Sequence, residues 1–430
     1  MTRLQADTSH SLPGPDDISR IVLNNGITLL VRTNLVSPSV VISGYLSAGS
    51  LFDPVEYRGL AHFTASALMR GTAKRNFQHI YNDLESVAAS LGFGASVHNV
   101  SFGGRCLSED LPMVMQLLAE CLRHPIFPPA QVDRLRAQAL TGFAIRAQDT
   151  AEMASLTFDE LLFPGHPYGL PEDGTAESVS KIKAENLVQF HRTHFGPKGM
   201  VMVVAGAVTI QQVADLADQV LGDWLNPEQP PEPVLPLVAA PEFPARRNVF
   251  IPGKTQTDLV MGSLGPKRTD ADYFAASIGN SILGQFGMMG RIGDSVREKS
   301  GLAYYASTSL NAWLSAGSWE ISAGVNPVNL ELVVDMILTE IQNFTRDGVT
   351  GDELQDVKSN FIGRVPLSLE SNTGVARSIL NIERFQLGLD YFQKYAGLIE
   401  RITREDVVES ARKHLDIDRF ITVSAGTALQ

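Results

Sequence analysis

The chain has only two cysteines, Cys106 and Cys121, in 430 residues, and no Cys-x-x-Cys pair. Neither a disulfide framework nor a cysteine-built metal site can organise it. Basic clusters are also missing: the formal net charge is −12, and no segment gathers the lysines and arginines that a phosphate backbone demands. A nucleic-acid partner is therefore not expected. The longest apolar run, Gly199 to Val208, is about half of the ~20 residues that cross a bilayer. It reads as a buried strand, and no membrane partner is expected. The amino terminus, MTRLQADTSHSLPGPDD, lacks the apolar core of a secretory signal. That points to the cytoplasm, or to the periplasm if a leader has been removed.

What is present is an ordinary globular composition, 44% hydrophobic and 19% charged, long enough for two full cores. Residues 181–206 and 401–426 align without a gap at a constant offset of 220. Ile182/Ile402, Glu185/Glu405, Arg192/Arg412, His194/His414, Val203/Val423, Ala205/Ala425 and Gly206/Gly426 are identical pairs, which marks an internal duplication. Each copy reads as a helix, a turn and an apolar strand ending in Ala-Gly. Between the copies, Asn226 to Pro244 is proline-rich and extended, a semi-rigid linker. The expected organisation is an amino-terminal domain over 1–225, a linker over 226–245 and a homologous domain over 246–430. Mixed strand and helix patterns in both halves make each an α+β domain, a mostly antiparallel sheet with helices on one face, and the pair a clamshell. Within the first half, residues 18–34 read as a hairpin around Asn24-Asn25-Gly26, residues 77–92 as a helix, and 94–108 as a strand pair.

One stretch, GLAHFTASALMRGT from Gly59 to Thr72, carries chemistry by what it omits. On a helix His62, Ala65 and Ser66 share one face. Zinc needs three or four imidazole, thiolate or carboxylate ligands, and neither a methyl nor an uncharged hydroxyl replaces them. His62 alone reads as a core or interface histidine satisfied by hydrogen bonds.

With these residues the chain resembles the pitrilysin-like or insulinase-like metallopeptidases, which include the mitochondrial processing peptidase and bacterial relatives. The family motif runs Gly-x-Ala-His-Phe-x-Glu-His with a Gly-Thr after it. Gly59, Ala61, His62, Phe63, Gly71 and Thr72 keep that frame. Ala65 stands where the resemblance puts the general base, and Ser66 where it puts the second histidine. The third ligand, a glutamate, would fall near Phe143, and no Asp or Glu lies between Arg134 and Gln148. The segment REKSGLAYY supplies Arg297 and Tyr304 at the spacing of the family's pair that reaches the scissile peptide. A guanidinium and a phenol there would hold the carbonyl and its oxyanion. Tyr305 is the neighbour open to confusion, and Gly301 suits the helix cap before the strand. The bland alternative for the pair is a surface arginine and a half-buried strand tyrosine.

The resemblance implies a heterodimer. This chain is then the non-zinc subunit, holding no cofactor itself, and a homologous partner with an intact His-x-x-Glu-His supplies zinc. Substrates would be unfolded peptides laid by β-addition along Ser96, Val97, His98 and Asn99 in the strand Gly94 to Gly104. The alternative is an inactive scaffold or peptide-binding protein of the same fold. His191 and His194 beside Glu185 read as packing, because His191 matches Ala411 in the repeat. The glycines from Leu283 to Gly290 read as a helix connection, with a glycine-rich substrate loop as the competing reading.

Overall fold

A computed structural model describes residues 12–427, so most of the amino-terminal stretch behind the compartment reading lies outside the described residues. The first strands and helices are β1 (Ser19–Val22), β2 (Thr28–Thr33), β3 (Ser39–Leu46), α1 (Leu60–Ala67), α2 (Phe77–Ser86), β4 (Ser90–Ala95) and β5 (Val100–Leu107). Helices α3 (Leu111–Arg123), α4 (Pro129–Arg146), α5 (Thr150–Leu162), α6 (Ala176–Lys181) and α7 (Ala184–His194) lead to β6 (Val201–Gly206) and α8 (Ile210–Leu221). After the proline-rich segment come β7 (Ala245–Phe250), β8 (Thr257–Gly265), α9 (Tyr273–Gly284), α10 (Phe286–Gly293), β9 (Ala303–Ala312) and β10 (Gly317–Val325). The chain ends through α11 (Leu330–Asp347), α12 (Gly351–Ser368), α13 (Asn372–Arg384), α14 (Tyr391–Glu400), α15 (Arg404–His414) and β11 (Ile421–Gly426).

The duplication is visible in the boundaries themselves. Both α7 and β6 reappear as α15 and β11 with the same start and end at the repeat offset. The sheets match as well: β1-β2-β6-β3-β5-β4 in one and β7-β11-β8-β10-β9 in the other. In each, the repeated strand runs parallel to one neighbour (β2 or β7) and antiparallel to the next (β3 or β8). The α+β class with two homologous, mostly antiparallel sheets therefore holds.

Two features depart from the linear reading. The compact units interleave rather than run end to end: one takes the chain up to Phe143, Pro171–Val234 and Val365–Lys394, the other Ala144–Leu170, Leu235–Arg364 and Tyr395 onward. The reason is that a sheet with helices on one face leaves its other apolar face wet. In the first unit Leu29, Val31, Met202 and Val204 join the main helical core, while Leu30, Val41 and Val203 pack on Val375, Ala376 and Ile379 of α13. That explains why β6 is apolar at every position: alternate residues serve two cores. In the second unit Leu259, Met261, Trp319 and Ile321 join the core with α9, α11 and α15, and α5 packs against β8 and β11. The proline-rich segment, as far as Val234, belongs to the first unit. There Gln229 accepts from Lys198 N at 3.0 Å and donates to Lys198 O at 2.9 Å.

The second departure is local. Helix α2 stops at Ser86, six residues before the expected end, because Ala88 turns left-handed (φ 51°) and starts β4 at Ser90. The hairpin around Gly26 forms as expected, with Gly26 at φ 93° and the Leu23 and Ile27 backbones paired at 2.9 Å. Among the described residues no helix is long and apolar enough to cross a membrane.

Candidate functional site

Helix α1 is held at its start by two devices. Gly59 takes φ 90°, where a Cβ would lie 2.4 Å from the Asp173 carbonyl oxygen. The Asp53 carboxyl accepts from Gly59 N at 2.7 Å and Ala61 N at 2.8 Å. Burial pushes that carboxyl up to about 7 against the pull of the same amides. The helix then presents a half-buried His62 and Ser66, with Ala65 only 2% exposed. Phe143, on α4, packs against the same core. Thr72 donates to Glu120, which Arg75 also grips, so the end of the motif sits in a buried polar network. Among the described residues no three His, Cys, Asp or Glu side chains gather in a way that could hold a metal ion. One imidazole, a methyl, a hydroxyl and a phenyl do not fit zinc's demand for donors.

The second candidate is the segment around Arg297. Helix α10 is pinned by Arg291, whose guanidinium forks onto Glu353 at 2.7 and 2.6 Å and reaches Gly348 O at 3.0 Å. The chain continues as a π-helical turn, Asp294–Lys299, anchored by buried Val296. Such turns are rare and recur at functional sites. Gly301 follows at φ 64°, with its amide on Arg297 O at 2.9 Å and Leu302 N on Val296 O at 3.0 Å. This is the glycine cap expected there, widened by the π turn. The Arg297 side chain is 36% exposed, and its Nη1 donates to the Met289 thioether sulfur at 3.6 Å.

Tyr304 and Tyr305 have different fates. In the β9–β10 ladder Tyr305 faces Gly324 and Ala303 faces Val325, so Tyr304 is the extra residue of a β-bulge. A bulge re-aims the side chain it carries. Tyr304 stands 81% exposed at the free edge of its sheet. Tyr305 turns inward and donates to Asp258 Oδ1 at 2.7 Å. Burial raises its pKa, and the Asp258 bond adds to this. Asp258 is only 3% exposed and also receives Gln256 Nε2 at 2.9 Å and Thr150. The Tyr305 phenol is thus part of the fold, and the Tyr304 phenol is the one offered to solvent.

Ser96, Val97, His98 and Asn99 are not in a strand; they form the turn between β4 and β5. Their backbone groups are already used: Ser96 O and Val97 O accept from Ser50 N and Leu51 N at 3.0 Å, and Val97 N donates to Glu172 at 3.2 Å. His98, 6% exposed, pairs with Glu232 of the proline-rich segment at 2.9 Å. A peptide added as a strand needs unpaired backbone groups, and β4 is one of the two edge strands of this sheet, with β1 the other. Sequence patterning put these four residues in a strand because the expected extension of α2 to Gly92 pushed the strand forward.

Three further histidines pack. His191 Nε2–H donates to Leu122 O at 2.7 Å, with its ring 4.7 Å from Phe195, and burial pushes its pKa down to about 4. His194 lies between Phe52 and Phe190. His166 accepts from Tyr168 N at 3.1 Å in a short 3-10 turn, with Tyr168 against Trp313. No signal in the sequence announced the Tyr304 bulge, the Met289 contact or the Asp53 cap.

Comparison with known proteins adds the following. The model of the insulinase family (peptidase family M16) matches residues 30–160, and that of the peptidase M16 inactive domain matches residues 181–361. An uncharacterized zinc protease of Streptomyces coelicolor is 24% identical over 372 residues, covering 85% of this chain and 80% of that protein. The mitochondrial-processing peptidase subunit beta of Saccharomyces cerevisiae is 23% identical over 447 residues, covering 99% of this chain and 94% of its own length. Among solved structures, a peptidase M16 inactive domain from Pseudomonas fluorescens superposes with a TM-score of 0.88 at 26% identity. That match covers 96% of this chain and 98% of the other.

Proposed function

Because the chain belongs to the insulinase-like M16 peptidases, we propose that it serves as the zinc-free subunit of a heterodimeric zinc metalloendopeptidase acting on unfolded peptides. The observation that carries this reading is α1, whose LAHFTASA sequence, set against the family motif, aligns Ala65 with the base and Ser66 with the second histidine; the same spacing puts the third ligand near Phe143. Catalytic zinc, its water and the general base then come from a homologous partner with an intact His-x-x-Glu-His. This chain contributes Arg297 and Tyr304. The guanidinium fork and the exposed phenol bind the scissile carbonyl and stabilise its developing oxyanion. The exposure of Tyr304 on its bulge supports that role, and the open edge of β4 supports an extended peptide.

The test is a reconstituted pair assayed on an internally quenched unfolded peptide. Arg297→Ala lowers kcat/KM by about 100-fold if the side chain meets the oxyanion. Full turnover in that variant removes the catalytic role and leaves a scaffold or peptide-binding subunit of the same fold. Stoichiometric zinc in this chain purified by itself would reject the division of labour altogether.

A further inference from the structure

We infer that Met289 is the positioning residue for Arg297, holding its guanidinium through an uncharged sulfur; the inference rests on the role proposed above for Arg297. Arg297 stands between two acceptors. Its neighbour Glu298 approaches Nε only loosely, at 3.5 Å, while Nη1 meets the Met289 thioether at 3.6 Å, a normal distance for a sulfur acceptor. A thioether orients a donor without cancelling its charge, whereas a tight carboxylate fork, as on Arg291, both orients and neutralises. A cation meant for a substrate oxygen needs the first arrangement.

The backbone at Met289 points the same way. Met289 is one of four non-glycine residues with positive φ among the described residues, at 75°. Gly287 and Gly290 on either side are left-handed at 66° and 65°. Gly290 has no room for a Cβ, which would lie 2.5 Å from Gly284 N. Its neighbours therefore fix this first turn of α10, which holds Met289 in a conformation that a side chain ordinarily avoids. Strain of this kind persists where the surroundings over-determine it, and here its product is a sulfur placed against Arg297. The π turn that carries Arg297 completes the approach from the other side.

Three variants of the full chain separate the possibilities. Met289→Leu keeps volume and the same left-handed strain but removes the acceptor; Met289→Gln keeps length and supplies a carbonyl oxygen. Phenylglyoxal labelling, followed at the Arg297 peptide by mass spectrometry, reads the guanidinium without any activity. Labelling of Arg297 speeds up about 5-fold in Met289→Leu and returns to the wild-type rate in Met289→Gln, as expected when one side chain stops shielding another. In the reconstituted pair Met289→Leu lowers kcat about 10-fold with KM unchanged, and has no effect once Arg297→Ala is present. Equal labelling in wild type and Met289→Leu, with unfolding midpoints also equal, overturns the inference. Full turnover in Arg297→Ala beside the expected labelling change overturns the catalytic role instead and leaves the Met289 contact standing.

Discussion

Protonating His191 should unfold the first unit, and the size of the effect follows from its surroundings. The ring is packed against Phe195 and Phe127, and its Nε2–H is bonded to Leu122 O. Burial depresses its pKa from 6.5 to about 4. Between those values the unfolded chain takes a proton that the folded chain refuses, so this contribution is whole above pH 6.5 and lost as pH falls toward 4. A gap of roughly 2.5 units amounts to about 3.4 kcal/mol in full, of which about 2 kcal/mol is lost by pH 5. Asp53 works against it in the same window. Its carboxyl is raised from 3.8 to about 7, so its contribution is whole below pH 4 and lost as pH rises through 7. The His191 share is therefore read as a difference between wild type and His191→Gln, which keeps an N–H for Leu122 O but cannot titrate. Urea unfolding at pH 7.5 and pH 5, followed by far-ultraviolet circular dichroism, should show the wild type losing about 2 kcal/mol more than the variant. Equal losses would mean that His191 is not held neutral by its packing, and would reopen the idea that it serves as a ligand.

Other expectations concern single side chains. Asp53→Asn flattens the fall in the first unit's urea midpoint between pH 4 and pH 8; an unchanged slope would show that Asp53 is ionised throughout. Tyr305→Phe removes the phenol from buried Asp258 and lowers the second unit's stability by about 1–3 kcal/mol, whereas Tyr304→Phe leaves thermal unfolding within about 0.5 kcal/mol of wild type. The converse ranking would exchange the roles of the two tyrosines. The double variant Ala65→Glu/Ser66→His retains no stoichiometric zinc after dialysis, by elemental analysis, because it supplies no third acidic or imidazole ligand beside His62 and the new histidine. It also melts lower than wild type, since position 65 is 2% exposed and the new carboxylate would be buried.

Legibility in the sequence tracked the range of the interaction. The duplication and the hairpin at Gly26 are set by local pattern and turn chemistry, and both could be read directly. The end of α2 could not: Ala88 and Ala89 favour helix, and only burial of Leu91 against the core makes the left-handed turn at Ala88 worthwhile. That one error also carried the strand reading onto residues 96–99, which form a turn. The exchange of α5 and α13 between units was hinted at by the continuous apolar run of β6, which signals cover on both faces but not which helix supplies it. Arg297 and Tyr304 were singled out by family spacing; the bulge at Tyr304 depends on pairing with β10, and no residue type announces it or the π turn at Arg297.

The residues kept from the metallopeptidase signature are those that packing alone requires. Gly59 must be left-handed and is pressed against Asp173; Ala61 and Phe63 are 0% and 4% exposed; Thr72 feeds the Glu120–Arg75 network. A larger residue at Gly59 or Ala61, or loss of the Thr72 hydroxyl, would damage the fold whether or not zinc was ever bound there. Positions 65 and 66 differ. A glutamate base and a histidine ligand are polar groups that a helix buried on this face tolerates only with a metal or partners to satisfy them. Without a bound metal, alanine and serine are the residues this helix face accommodates most easily, and Phe143 packs partly buried against the same core. On the other unit, Tyr304 is 81% exposed and the Arg297 side chain 36%, so burial does not dictate either residue.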